Sequence, residues 1–323
     1  MLKIQKSKLK IISNEPDNEL VGSVSVREPR SLFSGILILL LGFGIWSLGF
    51  TSEASIYPLT IKDDSGQKIT IKSEPKRIIS TMPSNTEILA ALGLNDKIVG
   101  ITTKCNYPPS ITAKEKVGST IINIEKVVSL KPDLIVMSGD AQKSDVAKLR
   151  GLNMQVLVVN PHSVKDILSS IKLIGKVTNK ERASQKLARN LSGRLKGIEW
   201  RPYKKKPSVF IEIWHNPLIT SGKGTYLNDG LSFIGLNNIA GGINISYPEY
   251  SIEKLLVDNP DYIVVAGDDY TRVTQIISDQ NWQKLNAVKT SRIILINSDI
   301  LLRPGPRFVS ALEKIVKSVY EKK

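Results

Sequence analysis

NIEKVVSLKPDLIVMSGD, from Asn123 to Asp140, is nearly repeated by SIEKLLVDNPDYIVVAGD, from Ser251 to Asp268. The two stretches are identical at nine of eighteen positions and lie 128 residues apart. In each copy a short helical pattern precedes Pro-Asp, and the apolar run after Pro-Asp is typical of a buried strand in a parallel sheet. A spacing this long is not that of a solenoid, so the repeat predicts two α/β lobes of similar build.

Each copy carries one glutamate near the start of its predicted helix. Glu125 and Glu253 occupy the same place in the two copies. A matched pair of acidic groups on twin lobes is a feature that a two-fold symmetric partner could recognise.

A β/α alternation surrounds the two copies. TIKDDSGQKITI predicts a β-hairpin, and RIIS, KIVGIT, QVLVV, SVFIEIW and RIILINSD predict short buried strands. After RIIS, Ser84 followed by Glu87 fits a capping box at the start of a helix. This order predicts the fold class α/β, with two similar lobes whose parallel sheets are flanked by helices. Ligand crevices in such sheets lie at the carboxyl ends of the strands.

The segment between the lobes has no strand pattern. Its apolar residues recur every three or four positions, at Ala183, Leu187, Leu191, Leu195 and Ile198. The spacing predicts one long rigid α-helix of about 20 residues, which would span about 30 Å. Either residue of the Thr178-Asn179 pair could cap its start. Such a strut would limit the movement of one lobe relative to the other.

The N-terminal region contains a long apolar run. Leu32 to Phe50 are 19 residues without a charge, which at ~1.5 Å per residue span ~28 Å, close to the hydrocarbon core of a bilayer. Arg30 before the run and Glu53 after it favour a cytoplasmic N-terminus. We interpret the run as a single transmembrane helix, with a cleavable signal peptide as the alternative. No cysteine follows the run to carry a lipid anchor.

These patterns predict six regions. They are a cytoplasmic tail (1–30), a transmembrane anchor or uncleaved signal (31–50), a linker (51–58), an N-terminal lobe (59–162), a helical connector (163–205) and a C-terminal lobe (206–323).

Composition excludes several classes of protein. Cys105 is the single cysteine, so neither an intramolecular disulfide nor a cysteine-cluster metal site is predicted. His162 and His215, the only histidines, are interpreted as loop or packing residues. The net charge is +15, but the lysines are spread along the chain, so we predict a solvated basic surface and no nucleic-acid binding. TSGKGT lacks the Walker spacing and no Gly-x-Ser-x-Gly is present, so no enzyme is predicted.

The loops carry a family resemblance. RIISTMPSNTEILAALGL, the NYPP loop, NPLITSGKGTYLNDGLSFIGLNNIAGG, YPEYSIEKLLVDNPDYIVV and NSDILLRPGPR together resemble the substrate-binding proteins of cobalamin and ferric-siderophore ABC importers. The likeness covers residues 59–323 and is nearest to the cobalamin branch. It rests on the order of the motifs over two lobes, since no single motif is specific.

The resemblance implies a ligand held in the cleft between the lobes by aromatic and polar groups. The matching positions are Pro83, Ser84, Asn85, Tyr107, Trp214, Tyr247, Asp299 and Arg303. It also implies that Glu125 and Glu253 dock onto a dimeric permease. The sequence departs from the cobalamin pattern at Lys104 and at 119–122, where aromatic residues are lacking.

Some of these positions have structural alternatives. Ser84 is also explained as a helix cap, and Tyr107 could pin its loop. Trp214 could lie in the core of a lobe, and Tyr247 in a packed turn. Arg303, in a Pro- and Gly-rich loop after the last strand, has no such obvious structural task.

The function implied is that of an extracytoplasmic solute-binding protein. It would capture a corrinoid as a monomer, without a cofactor or metal site of its own, and deliver it to the permease dimer with its ATPase. A ferric siderophore or haem remains open as the ligand, and a membrane-anchored ligand sensor remains open as the role.

Overall fold

Two parallel β-sheets organise the chain, and the computed structural model describes residues 56–198 and 206–320. The strands are β1 Leu59–Lys62, β2 Lys68–Ile71, β3 Ile78–Ser80, β4 Ile98–Ile101, β5 Glu115–Lys116, β6 Leu134–Met137, β7 Val156–Val158, β8 Ser208–Glu212, β9 Trp214–His215, β10 Leu218–Ile219, β11 Asn237–Asn238, β12 Tyr262–Ala266 and β13 Ile293–Ile296. The helices are α1 Pro83–Ala91, α2 Ile124–Ser129, α3 Lys143–Gly151, α4 Val164–Val177, α5 Glu181–Gly197, α6 Tyr226–Phe233, α7 Ile252–Asp258, α8 Thr271–Ser278, α9 Asn286–Lys289, α10 Ser298–Leu301 and α11 Phe308–Tyr320.

Both sheets follow the predicted α/β pattern. The first has the order β5-β4-β3-β6-β7 and the second the order β11-β8-β12-β13, with all neighbouring strands parallel. The hairpin predicted from TIKDDSGQKITI forms as β1 and β2, which are antiparallel. The predicted α/β class, with parallel sheets flanked by helices, is therefore confirmed.

The sequence repeat is also a structural repeat. Its first copy forms α2 and β6, and its second copy forms α7 and β12. Each helix is capped by the first residue of its copy: the Asn123 side chain accepts from the backbone N–H of Lys126, and the Ser251 hydroxyl accepts from that of Lys254. These bonds satisfy one of the unpaired donors at each helix start.

Both faces of each sheet are buried, because successive side chains of the central strands point to opposite faces and pack into different cores. In β6, Leu134 and Val136 join a core that runs through both lobes, whereas Ile135 and Met137 join a core confined to the first lobe. In the second lobe, β8 and β12 alternate in the same way between the shared core and a local one. Because one core passes without a break through both lobes, the lobes are packed together as a single unit.

The connector differs from the single long helix that the apolar spacing predicts. It consists of two helices, α4 of 14 residues and α5 of 17 residues. Thr178 does not cap the start of α5: it ends α4, and its hydroxyl donates to the Ile174 carbonyl. Asn179 takes the left-handed conformation, at φ 56°, and turns the chain back.

The two connector helices pack closely on each other. A Cβ on Gly175 would lie 2.1 Å from the Ser184 hydroxyl, so this glycine is needed for the close approach. The first N–H of α4 donates to Asp229 in the second lobe, and the carbonyl of Val177 at its end accepts from Tyr57, next to β1. Arg194 of α5 pairs with Glu313 of α11. The lobes are thus joined by a helical pair.

The predicted transmembrane segment, Leu32 to Phe50, lies outside the described residues. Among residues 56–198 and 206–320, no helix combines the length and the apolar character needed to cross a bilayer.

Candidate functional site

A cleft lies between the lobes, at the carboxyl ends of β3 and β6. The chain leaves β3 towards β4 and β5 on one side and returns to β6 and β7 on the other, so β3 and β6 flank a topological switch point. Two adjoining cavities, of about 420 and 350 Å³, open there. Both are lined by the turn after β3, the turn after β6 and the loop between α10 and α11. They are two parts of one cleft, which brings residues of both lobes together.

The first turn of α1 forms one wall of this cleft. Ser84 and Asn85 line the larger cavity, and Pro83 and Ser84 line the smaller one. The predicted capping box is wrong, because α1 begins at Pro83 with Met82 as its N-cap and no side-chain cap bond. Ser84 is the second residue of the helix, and Glu87 is paired with arginines of the other lobe.

Asn85 has an unpaired donor at the cleft. The residue is 2% exposed, and its Nδ2 has no hydrogen-bond partner among the described residues. A buried amide donor without an acceptor costs about 1–3 kcal/mol. Since Asn85 lines the larger cavity, an acceptor on a bound ligand would remove that cost.

Most polar groups around the larger cavity are uncharged. Apart from Ser84 and Asn85, these are Ser138, Asn160, Thr225, Tyr226, Ser246 and Tyr247. Two ionisable side chains also line it, Asp140 and His162. This wall can exchange hydrogen bonds with a ligand rich in amides or hydroxyls.

Tyr247 lines the larger cavity as the resemblance implies. Desolvation, with a smaller contribution from the charge of Asp140, raises the pKa of its hydroxyl, which therefore keeps its proton at neutral pH. Its ring remains half exposed, so it offers an apolar face and a hydrogen-bond donor to the cleft.

Arg303 and Asp299 line the smaller cavity, where they pair with each other. Arg303 has a structural task that the sequence does not indicate. It donates from Nη1 to Glu87 Oε1 at 3.1 Å and to Asn106 Oδ1 at 2.7 Å, both in the first lobe. Asn106 in turn donates to Asp299 at 2.7 Å. The four side chains link the lobes at the cleft floor.

Tyr107 belongs to the same inter-lobe contact and lines neither cavity. Its ring lies under the guanidinium of Arg307, with 3.9 Å from Cζ to the ring centroid. Arg307 also donates to Glu87, from Nε at 3.0 Å and from Nη2 at 2.6 Å. Burial disfavours the charge on Arg307, but the bonds and charge of Glu87 prevail and raise its pKa. We call Glu87, Arg303 and Arg307 the inter-lobe triad.

Trp214 is not brought to either cavity. It lies on the β9–β10 hairpin, exposed to solvent, and its indole N–H donates to the Asn216 carbonyl at 2.9 Å. The alternative that it lies in the core of a lobe is therefore wrong.

Glu125 and Glu253 are both exposed, in the first turns of α2 and α7. Neither forms an ion pair within the described part of the chain. A helix that precedes a parallel strand runs antiparallel to it, so both helix starts lie at the edge where the strands end. The two glutamates therefore lie on the cleft side of their lobes.

Sequence reasoning missed several residues at the cleft, among them His162 and Tyr226. His162, interpreted as a loop or packing residue, lines the larger cavity with its Nε2 3.6 Å from Asp140. Its place four residues after the end of β7 was a usable signal, since the loops at strand ends form the crevice. Tyr226 is a buried part of the cavity wall, and its ring packs edge-on against Phe308. No local pattern marks it.

Within 56–198 and 206–320, no three His, Cys, Asp or Glu side chains come together as a metal site.

Comparison with known proteins gives relatives for the whole two-lobed region. A family model described as periplasmic binding protein matches residues 78–300. The uncharacterized ABC transporter substrate-binding lipoprotein YvrC of Bacillus subtilis (strain 168) is 36% identical over 277 residues, 83% of this chain and 87% of the relative. A vitamin B12-binding protein of Vibrio cholerae is 31% identical over 248 residues, 74% of this chain and 87% of the relative.

Solved structures agree with this relationship. The crystal structure of a possible iron-binding (periplasmic solute-binding) protein from Staphylococcus epidermidis ATCC 12228 is 28% identical, with a TM-score of 0.66. The match covers 77% of this chain and all of that one. The resemblance in the loops is thereby confirmed, and the chain belongs to the periplasmic binding protein family.

Proposed function

We propose that this chain is the extracytoplasmic substrate-binding protein of an ABC importer, and that it captures a corrinoid in the cleft between its lobes. The importer role is supported by relatives named as an ABC transporter substrate-binding lipoprotein and a vitamin B12-binding protein. Such a protein binds and releases its ligand and catalyses no covalent step.

The chemistry of the cleft wall favours a corrinoid over a carboxylate ligand. A corrin ring carries uncharged amides around its edge, and these both donate and accept hydrogen bonds. The larger cavity offers hydroxyls, amides and the protonated phenol of Tyr247. The carboxylates of haem would instead prefer an available cation, and no lysine or arginine of the described residues lines the larger cavity. Two cations line the smaller cavity: Arg303 is already paired with Glu87 and Asp299, and Lys104 is the other.

The unpaired side-chain amide of Asn85 is the observation that carries this proposal. Its buried Nδ2 lacks an acceptor among the described residues, and the residue itself lines the larger cavity. An amide carbonyl of the ligand would satisfy it, and Ser84 and Tyr247 would contact neighbouring groups on the ring edge. Pro83, Asp299 and Arg303 would border the part of the ligand in the smaller cavity.

Two of the residues implied by the resemblance act less directly in this proposal. Tyr107 holds Arg307 and so supports the cleft floor. Trp214 is exposed on a hairpin of the second lobe and would meet only a ligand that extends beyond the cavities.

Delivery would follow docking onto a dimeric permease with its ATPase. Glu125 and Glu253 carry free charges on the two lobes and would each pair with a basic group of one permease subunit. The shared core and the inter-lobe triad oppose a large hinge motion. Release of the ligand would therefore need the permease to pull the lobes apart.

The apolar run of residues 31–50 would hold the protein at the outer face of the membrane. YvrC is named as a lipoprotein, whereas the one cysteine of this chain, Cys105, is buried in the first lobe. In this chain a transmembrane helix of residues 31–50 would replace the lipid anchor.

A calorimetric screen tests the ligand. The fragment of residues 51–323 is titrated with cobinamide, cyanocobalamin, haem and a set of ferric siderophores. We expect the corrinoids to bind and to bind tightest. If only an iron chelate binds, the corrinoid assignment is wrong. The protein would then serve an importer of that iron chelate.

A further inference from the structure

We propose that apolar side chains, as well as the two glutamates, contact the permease. Each lobe presents a patch in which an exposed aliphatic residue shares a helix face with the exposed glutamate. We call these the twin acid–apolar patches: Ile121, Glu125 and Val128 on the first lobe, and Glu253 and Val257 on the second. This inference rests on the proposed function.

The first patch surrounds the start of α2. Ile121 is 83% exposed and lies two residues before the cap residue Asn123. Val128, 45% exposed, follows Glu125 by three positions, a spacing that places both on one face of the helix. The preceding residues Ser119 and Thr120 line the smaller cavity, so this patch adjoins the cleft.

The second patch repeats this arrangement on α7. Val257 is 83% exposed and follows Glu253 by four positions, which again places the two side chains on one face. Within the repeat, Val257 aligns with Ser129 and not with Val128. The helical part of the surface is therefore matched, at Val128 and Val257, although the aligned residues differ, since positions three and four after the glutamate share its face. Ile121 has no apolar counterpart, because Glu249 aligns with it.

The exposure of these aliphatic side chains beside a glutamate on each lobe indicates a shared function. Single exposed apolar residues are common on protein surfaces, but these accompany an unpaired glutamate on both lobes. None of the residues of the twin acid–apolar patches lines a cavity of the cleft, so they do not serve the ligand. Glu125 and Glu253 lie on the cleft side of their lobes, and Val128 and Val257 follow them within about one helical turn. A partner with two equivalent subunits can therefore reach both patches together.

The chemistry of the partner surface follows from that of the patches. Each permease subunit would present a basic group beside an apolar hollow, and burying the aliphatic side chains around the ion pair would exclude water from it. A polar partner surface would gain nothing from Ile121 or Val257.

Transport by cells tests the inference. Source cells that lack the chromosomal copy are complemented with the full-length chain, at limiting and matched expression, and the initial uptake of radiolabelled cobinamide is measured. The test variant is Ile121→Thr with Val257→Thr, which keeps the branched shape and adds polarity. The matched control is Leu152→Thr, an exposed aliphatic residue (55%) at the end of α3 with no glutamate at its side.

We expect the double variant to lower the initial uptake rate about tenfold, the effect of losing a central apolar contact. The control should stay within about twofold of the parent. Cobinamide affinity, measured on the purified chains, should be the same for all three.

Three results would overturn the inference. Parental uptake by the double variant would show that the apolar residues take no part in docking, while leaving the proposed function intact. Loss of cobinamide affinity in the double variant would assign Ile121 and Val257 to the fold or the ligand site. Failure of the parental chain to restore uptake would overturn the proposed function itself, and the inference with it.

Discussion

The inter-lobe triad allows a quantitative prediction for the substitution Glu87→Gln. The Glu87 side chain is 2% exposed and accepts three hydrogen bonds from Arg303 and Arg307 across the lobe boundary. Glutamine keeps the size of the side chain and removes its charge. Arg303 would retain Asp299, but Arg307 forms no other ion pair among the described residues.

The expected loss of stability follows from the burial of the arginines. Removing one partner of a buried ion pair costs about 3–5 kcal/mol. The side chains of Arg303 and Arg307 keep a little solvent contact, at 11 and 12% exposure. We therefore take the lower end, about 3 kcal/mol, which for a chain of this size lowers the Tm by roughly 6–12 °C.

Urea unfolding of the fragment of residues 51–323 measures this loss. The matched control is Glu74→Gln, which breaks the pair of Glu74 with Lys97 at 2.5 Å, whose side chains are 37 and 28% exposed. An ion pair in contact with solvent contributes at most about 1 kcal/mol. If Glu87→Gln destabilises the fragment no more than Glu74→Gln does, the triad does not hold the lobes together and the reasoning is refuted.

Three further predictions address the site, the docking and the membrane. Asn85→Leu should lower cobinamide affinity about tenfold in calorimetry without lowering the stability of the ligand-free protein, because it removes a donor that has no acceptor; a less stable ligand-free protein would contradict this reading. The double substitution Glu125→Arg, Glu253→Arg should abolish cobinamide uptake and leave cobinamide affinity unchanged, because both docking pairs become like-charge contacts; uptake at the parental rate would remove the docking role. The full-length chain should stay in the membrane fraction after alkaline carbonate washing, because Leu32–Phe50 is long enough to span; recovery of a shortened form that begins near Ser55 would identify a cleaved signal peptide instead.

Short-range patterns in the sequence predict most of the fold. Strands such as Leu134–Met137 and Tyr262–Ala266 are continuous apolar runs after Pro-Asp, which parallel strands buried on both faces require. The helical connector was predicted as helix but not as two helices. A single residue, Asn179, takes the left-handed conformation that divides it, and asparagine there fits a helix cap equally well by sequence.

The candidate site was harder to predict because its contacts are long-range. Ser84 and Glu87 have the spacing of a capping box, yet Glu87 is paired with arginines more than 200 residues further along the chain. The structural task of Arg303 is not visible in the sequence for the same reason, since its partners Glu87 and Asn106 lie in the other lobe. Asn85 could be named only through the family resemblance, since its unpaired amide becomes visible only in the packed structure.

A competition titration tests the central claim most directly. The fragment of residues 51–323, loaded with cobinamide, is titrated with haem and with a ferric hydroxamate siderophore, and the shape of the displacement isotherm gives the ratio of dissociation constants. The wall of the larger cavity, whose polar groups are mostly uncharged hydroxyls and amides, predicts that neither iron chelate displaces cobinamide at equal concentration. Displacement by an iron chelate that binds tenfold more tightly, a difference of about 1.4 kcal/mol, would contradict the claim that the cleft is built for a corrinoid.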